Sequence, residues 1–111
     1  IEGVAWFLDK VFLALENSDT LPKLDLHGAF VSDVDRLVLN FLISEMQLGS
    51  NAVQIIYGRG GKEILKKKTR EILDANMAEK IIHKKFVKSW KEAEIVNAGA
   101  RCIVLLEVVH S

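Results

Sequence analysis

Two stretches of this chain share one pattern, in which a short apolar strand runs into a glycine and is followed by an amphipathic helix. Residues 23–27 lead into Gly28, and residues 52–57 lead into Gly58. The helices that follow repeat apolar residues every three or four positions. Two such units in succession predict two neighbouring parallel strands, and both glycine turns then leave the carboxyl edge of one sheet.

The same periodicity predicts the other elements of the chain. An amphipathic helix is predicted over 3–16, ahead of Pro22. A second helix is predicted to begin at Ser32, because Ser32 and Asp35 have capping-box spacing, and to end at Gly49. The remaining predicted elements are a helix over 62–75, an edge strand over 81–88, a loop over 89–94 with Trp90 as a lid over the core, and a central strand over 101–109.

This order of elements predicts an α/β fold. We expect a two-layer sandwich in which a four-stranded mixed sheet carries two helices on one face, with an extra N-terminal helix. A chain of 111 residues suits one domain, which we place at 21–111, after an N-terminal extension at 1–20. The helix of the extension packs on this domain, on another part of a longer parent chain, or on a second copy.

Cysteine, histidine and hydropathy patterns exclude several classes of protein. The single cysteine, Cys102, excludes an internal disulfide, and its apolar neighbours predict a buried thiol. His27, His83 and His110 have no metal-ligand spacing. No apolar stretch reaches the length of a membrane span and the N-terminus has no signal pattern, so we expect an intracellular protein, cytoplasmic or organellar, without a membrane partner.

The net charge of zero conceals a strongly basic block. Residues 1–56 carry a balance of −5, residues 57–91 carry +7 and residues 92–111 carry −2. A basic block of this kind favours phosphate-rich partners, although a solvated lysine-rich helix face is the alternative.

The basic block begins with a glycine-rich turn between a strand and a helix. Such a turn offers backbone amides to an anion at the start of the helix. It is neither a Walker loop nor the dinucleotide fingerprint, because the glycine spacing differs. We predict phosphate contacts from this turn and from the basic stripe behind it: Gly58, Arg59, Gly60, Gly61, Lys62, Lys66 and Arg70.

The first strand carries a carboxylate and an imidazole. If Leu24 and Leu26 face the core, Asp25 and His27 share the opposite side of the strand. An imidazole beside a carboxylate can take or give a proton near neutral pH. The alternative is that Asp25 caps the following turn and that His27 is a packed or solvated imidazole.

These motifs resemble those of the small MutS-related (Smr) domain family over about residues 21–109. The stretch 24–28 (Leu-Asp-Leu-His-Gly) resembles the LDLHG motif of the family. The stretch 57–60 (Tyr-Gly-Arg-Gly) stands where the family has HGxG, and it departs from the pattern at Tyr57.

A third segment, residues 97–104, is similar to the glycine-rich turn and final strand of the family, with Ala98 in place of its first glycine. The resemblance covers the chain after its first helix. It implies the fold of the C-terminal domain of a translation initiation factor, which is a four-stranded sheet with two helices on one face.

The resemblance implies a nucleic-acid endonuclease that nicks or cleaves RNA or DNA. By position, Asp25 and His27 would be the catalytic pair, and Gly58, Arg59 and Gly60 would form the phosphate-binding loop. We favour RNA, because its 2′-hydroxyl supplies an internal nucleophile. No metal is then required, although Asp25 could orient a hydrated divalent cation.

Two other functions stay open. Tyr57 in place of histidine removes one imidazole, which favours a non-catalytic nucleic-acid-binding module; base-stacking aromatic residues for such a module are not evident. The third function is an adaptor, in which the helix at 3–16 docks on a ribosome-bound factor or on other domains of a parent protein.

Overall fold

A computed structural model describes residues 2–18, 20–58, 63–79, 85–95 and 98–107. These ranges contain elements in the predicted order of helix, strand, helix, strand, helix, strand and strand. The helices are α1 (Glu2–Glu16), α2 (Val31–Gln47) and α3 (Ile64–Met77), and the strands are β1 (Lys23–Asp25), β2 (Ala52–Ile56), β3 (Val87–Glu92) and β4 (Arg101–Leu106). The helices in this part of the chain are all too short or too polar to cross a bilayer.

The four strands form one mixed sheet in the order β1-β2-β4-β3. β1 is parallel to β2, while β4 is antiparallel to both β2 and β3. The predicted parallel neighbours, the central position of the last strand and the edge position of the third strand are confirmed. The carboxyl ends of β1, β2 and β3 therefore meet the amino end of β4 at one edge of the sheet.

One face of the sheet is covered by α2 and α3. Val53 and Ile55 of β2 lie opposite Val104 and Cys102 of β4, so these four side chains point to the same side. They join one apolar core with residues of the two helices: Val34, Val38, Leu42, Met46, Ile72 and Leu73. The predicted α/β sandwich is confirmed, and Cys102 is fully buried as expected.

The opposite face of the sheet is covered by α1. Arg101 of β4 donates from Nη1 to Oε1 of Gln54 at 3.0 Å and from Nη2 to the carbonyl oxygen of Glu16 at 2.6 Å. Oε1 of Glu16 accepts the backbone N–H groups of Glu94 and Ile95, both at 2.9 Å. The end of α1 is therefore tied to the domain by hydrogen bonds on both its backbone and its side chain.

The start of α2 differs from the prediction. The helix begins at Val31 and its N-cap is Phe30, which makes no side-chain capping bond. The predicted capping box is wrong, because Ser32 already lies inside the first turn. The predicted end is confirmed: Gly49, with φ of 88°, donates its N–H to the carbonyl of Met46 at 3.0 Å just after the helix.

The third strand lies later in the chain than predicted. The strand at 81–88 and the loop at 89–94 are replaced by β3 at Val87–Glu92, while residues 80–84 lie outside the described residues. Trp90 lies in this strand and not in a loop, but it does pack against the core as expected. It pairs with Val104, and its Nε1 donates to Oδ1 of Asp74 at 2.8 Å. Pairing with β4 and contact with α3 stabilise a strand whose own composition is polar. The predicted end of β4 at residue 109 also lies outside the described residues.

The tie between α1 and the loop after β3 predicts a stability effect. Replacing Glu16 by alanine leaves two partly buried backbone N–H groups without their acceptor, which costs about 1–3 kcal/mol. We expect urea unfolding, followed by circular dichroism, to show a free energy of unfolding lowered by this amount. Glu16→Gln is the matched control, because it keeps an oxygen acceptor and should lose less. Equal losses in both variants would contradict the proposed role of this oxygen.

Candidate functional site at the carboxyl edge of the sheet

The parallel pairing of β1 and β2 brings the two sequence motifs together. Asp25 lies opposite Ile56, and the N–H of Leu26 donates to the carbonyl of Ile56 at 2.7 Å. The segments that follow β1 and β2 then leave the sheet side by side. A methyl group added at Gly58 would lie 3.4 Å from Cδ2 of His27, so the imidazole packs directly over the second glycine turn.

Asp25 holds the turn that carries His27. Leu26 is fully buried, while Asp25 and His27 are exposed, as the alternation of the strand predicted. Oδ1 of Asp25 accepts the backbone N–H of His27 at 2.9 Å. This is the turn-capping interaction that the sequence left as an alternative, and it orients the backbone of His27 beside Gly58.

The amides at the end of β2 are already used within the fold. The N–H groups of Tyr57 and Gly58 both donate to the carbonyl oxygen of Ala100, at 2.9 and 3.0 Å. Gly58 has a φ of 84°, a left-handed conformation that favours glycine. Gly58 therefore contributes the turn and the close approach to His27, whereas its N–H does not face an anion.

The rest of the predicted phosphate loop is not described. Arg59, Gly60, Gly61 and Lys62 lie outside the described residues. Their assignment to phosphate binding stays a prediction.

The two remaining residues of the predicted basic stripe have different surroundings. Lys66 forms an ion pair with Oε1 of Glu92, and its side chain is only one-fifth exposed. Arg70, one turn further along α3, is exposed. Glu92 thus balances the charge of Lys66, whereas Arg70 faces solvent.

Tyr57 is buried and bonded within the domain. Its hydroxyl donates to Oε1 of Glu92 at 3.3 Å, the same oxygen that pairs with Lys66. Burial raises the pKa of the Tyr57 phenol well above its ordinary value of 10.0, and the neighbouring Cys102 and Glu92 act in the same direction. Burial also raises the pKa of the Cys102 thiol to about 12. Neither group loses its proton at neutral pH.

Glu92 is a residue that sequence reasoning missed. Its place in the site depends on the tertiary structure. Residues 87–92 form β3, and this strand ends at the same edge of the sheet as β1 and β2. No local sequence signal identifies it.

An open cleft of about 420 Å³ lies where α2 and α3 begin. His27 and Tyr57 line it together with residues from the two helix starts: Gly28, Ala29, Phe30, Val31, Ile64 and Leu65. Phe30 was also missed by sequence reasoning, which found no aromatic residue for base stacking. No sequence signal marked it, because the predicted cap was Ser32 and only the structure places Phe30 at the N-cap of α2.

A metal ion at this edge would need several acidic, histidine or cysteine side chains close together. Within the described ranges, no three side chains of histidine, cysteine, aspartate or glutamate are close enough to hold one. The dependence of the site on a divalent cation stays a prediction.

Comparison with known proteins agrees with this arrangement. The sequence model of the Smr domain matches residues 24–107, which include both strand–turn–helix units and β4. The chain belongs to the Smr domain family. Smr domains are known as nuclease or nucleic-acid-binding domains, and they also occur within larger proteins such as MutS2.

Two solved structures have a similar fold. The Smr domain of Thermus thermophilus MutS2 is 23% identical with a TM-score of 0.66, over 78% of this chain and 99% of that chain. YdaL, a stand-alone small MutS-related protein from Escherichia coli, is 20% identical with a TM-score of 0.66, over 86% of this chain and 74% of that chain. The search of curated proteins finds no match.

The Asp25 hydrogen bond predicts different outcomes for two substitutions. Asp25→Asn keeps an oxygen acceptor for the N–H of His27, so its free energy of unfolding should stay close to that of the wild type. Asp25→Ala removes the acceptor and should lower this free energy by about 0.5–1.5 kcal/mol. Urea unfolding measures both, and an alanine variant as stable as the asparagine variant would contradict the capping role.

The burial of Tyr57 predicts its titration, which is directly observable because the chain has a single tyrosine. In the folded domain, tyrosinate absorbance should stay absent at pH 10, whereas the urea-unfolded chain should titrate near 10.0. The free energy of unfolding should fall as pH rises above 10, because the unfolded phenol releases its proton while the folded one keeps it. A midpoint near 10 with an intact circular dichroism spectrum would contradict the burial.

Proposed function

We propose that this Smr domain is a nucleic-acid endonuclease, with RNA as its favoured substrate, and that His27 is its proton-transfer group. The observation that carries the proposal is the position of His27, whose exposed side chain lies against Gly58 in an open cleft at the sheet edge. Imidazole is the side chain whose ordinary pKa lies nearest neutral pH, which suits it to general acid–base chemistry.

In RNA, the chemistry needs no external nucleophile. His27 accepts the proton of the 2′-hydroxyl, and the 2′-oxygen attacks the neighbouring phosphorus. The bond from phosphorus to the 5′-oxygen breaks, and a 2′,3′-cyclic phosphate forms. The 5′-oxygen takes a proton from water, and the hydroxide left behind takes the proton from His27. A divalent cation oriented by Asp25 is a second route to the same cleavage, and removal of metal ions distinguishes the two.

Asp25 acts in this proposal as a positioning residue. Its carboxylate holds the backbone N–H of His27 at 2.9 Å, which supports a role in aiming the imidazole. Both members of the predicted catalytic pair are retained, with proton transfer assigned to His27 alone.

Binding of the nucleic-acid backbone is assigned to basic side chains near the cleft. Arg70 and Lys67 are exposed on α3, which begins at the cleft with Ile64. We include Arg59, Lys62 and the amides of Gly60 and Gly61, as the sequence predicted, to contact the phosphate that is cleaved. Affinity should then fall steeply as salt rises, because bound phosphates release counterions.

A second candidate function is nucleic-acid binding without cleavage. It is favoured by Tyr57, which stands where the family pattern has histidine and whose hydroxyl is occupied by Glu92. Among the described residues, His27 is then the one imidazole at the cleft.

An adaptor that docks on a ribosome or a parent protein would have to use the outer surface of α1, because Phe12 and Glu16 are buried.

A cleavage assay separates these functions. We expect end-labelled single-stranded and hairpin RNA to be cut, and His27→Ala to cut at least about 100-fold more slowly, the size of effect typical of general acid–base groups. Asp25→Asn should retain more activity than Asp25→Ala, because it keeps the turn. DNA of the same sequence tests the preference for RNA, and lanes with EDTA test the need for a cation.

The controls decide how a negative result is read. Circular dichroism and RNA affinity should show that His27→Ala remains folded and still binds. Cleavage by His27→Ala at the wild-type rate would exclude His27 as the proton-transfer group. RNA that stays intact with every variant, but is retarded by the protein on a native gel, would favour nucleic-acid binding without cleavage.

A further inference from the structure

Phe30 has no structural reason to be aromatic. It is 76% exposed, so its ring adds little to the core. It occupies the N-cap of α2, where serine, threonine, aspartate or asparagine would bind a free backbone N–H, and it makes no such bond. Single exposed apolar residues are common on protein surfaces, so the location of this ring decides what it means.

The ring of Phe30 lies at the mouth of the candidate site. Phe30 at the start of α2 and Ile64 at the start of α3, itself 48% exposed, line the same cleft as His27. The cleft therefore presents apolar surface from two helix starts next to the exposed imidazole. Leu48 is exposed to the same extent as Phe30 but lies at the other end of α2.

We propose that Phe30, supported by Ile64, is a stacking platform for one unpaired nucleobase of the bound nucleic acid. This proposal rests on the proposed function and specifies its substrate as a strand with an unstacked base beside the phosphate at His27. Aromatic side chains bind bases of any sequence by stacking, because every base has a flat π-face.

The size of the cleft and the nearby charge favour a nucleotide as its occupant. About 420 Å³ lies at the small end of the range for ligand pockets, and this volume suits one nucleotide. The exposed cations Lys67 and Arg70 on α3 suit a chain of phosphates. An apolar protein segment would use the ring but gain nothing from these cations.

This platform predicts a preference for single strands. In a duplex both faces of each base are already stacked on neighbours, so a base must leave the stack before it reaches Phe30. We expect the wild-type domain to bind a short single strand more tightly than the duplex of the same sequence, and Phe30→Ala to reduce this difference.

Fluorescence anisotropy with a labelled 2′-O-methyl RNA strand tests the platform, because blocking the 2′-hydroxyl prevents attack by that oxygen. The second probe is the same strand with abasic positions, which keeps the phosphates. Phe30→Ala should weaken binding of the first probe about tenfold and change binding of the abasic probe little. Phe30→Leu should bind as weakly as Phe30→Ala, since leucine is apolar but has no π-face.

Two further variants complete the test. Phe30→Trp should retain the wild-type affinity, and its emission should be quenched by the strand beyond any quenching seen in the wild type. Leu48→Ala, the matched control for an exposed apolar residue, should bind both probes as the wild type does.

Several outcomes would overturn the platform while leaving nucleic-acid binding intact. These are wild-type affinity in Phe30→Ala, wild-type affinity in Phe30→Leu, or equal affinity of the wild type for the intact and abasic strands. Full affinity in Phe30→Leu would indicate an apolar contact of the kind a protein segment makes. Failure of the wild type to bind either probe would instead overturn the proposed function, and the platform with it.

Discussion

The parallel pairing of β1 with β2 is the interaction on which the candidate site depends. Main-chain hydrogen bonds such as that from Leu26 to Ile56 fix the relative register of the two strands. A one-residue slip would turn Asp25 toward the core and Leu26 toward solvent. Because both strands leave the sheet at the same edge, the imidazole of His27 lies directly against the backbone of Gly58.

Most polar groups around this edge serve the fold. The carbonyl oxygen of Ala100 accepts two backbone N–H groups at the second turn, and the carboxylate of Asp25 caps the first turn. The carboxylate of Glu92 accepts the hydroxyl of Tyr57 and forms an ion pair with Lys66. These interactions fix the backbone where the described parts of the two turns leave the sheet, which is what a site needs if a single side chain is to be aimed at a phosphate. They also concentrate the proposed chemistry on His27, the imidazole that the turn presents to solvent.

Sequence reasoning succeeded where the signal was local and failed where it was not. The outward side of Asp25 and His27 follows from a period of two, and the buried Cys102 follows from apolar neighbours. β3 was misplaced because its polar residues are held by pairing with β4 and by the bond from Trp90 to Asp74. Such long-range compensation leaves no trace in a short window of sequence. Glu92 was missed for the same reason, because its place at the site depends on the pairing of β3 with β4.

The sequence by itself determined the order of helices and strands, the family, and the two motifs that carry the proposed site. Alternating apolar residues, glycine turns and helical periodicity are properties of neighbouring residues, so they can be read along the chain. Only the tertiary structure decided that Phe30 is exposed beside His27, that Lys66 is paired with Glu92, and that α1 covers the second face of the sheet. Burial and pairing arise from contacts between distant segments, which form only when the chain has folded.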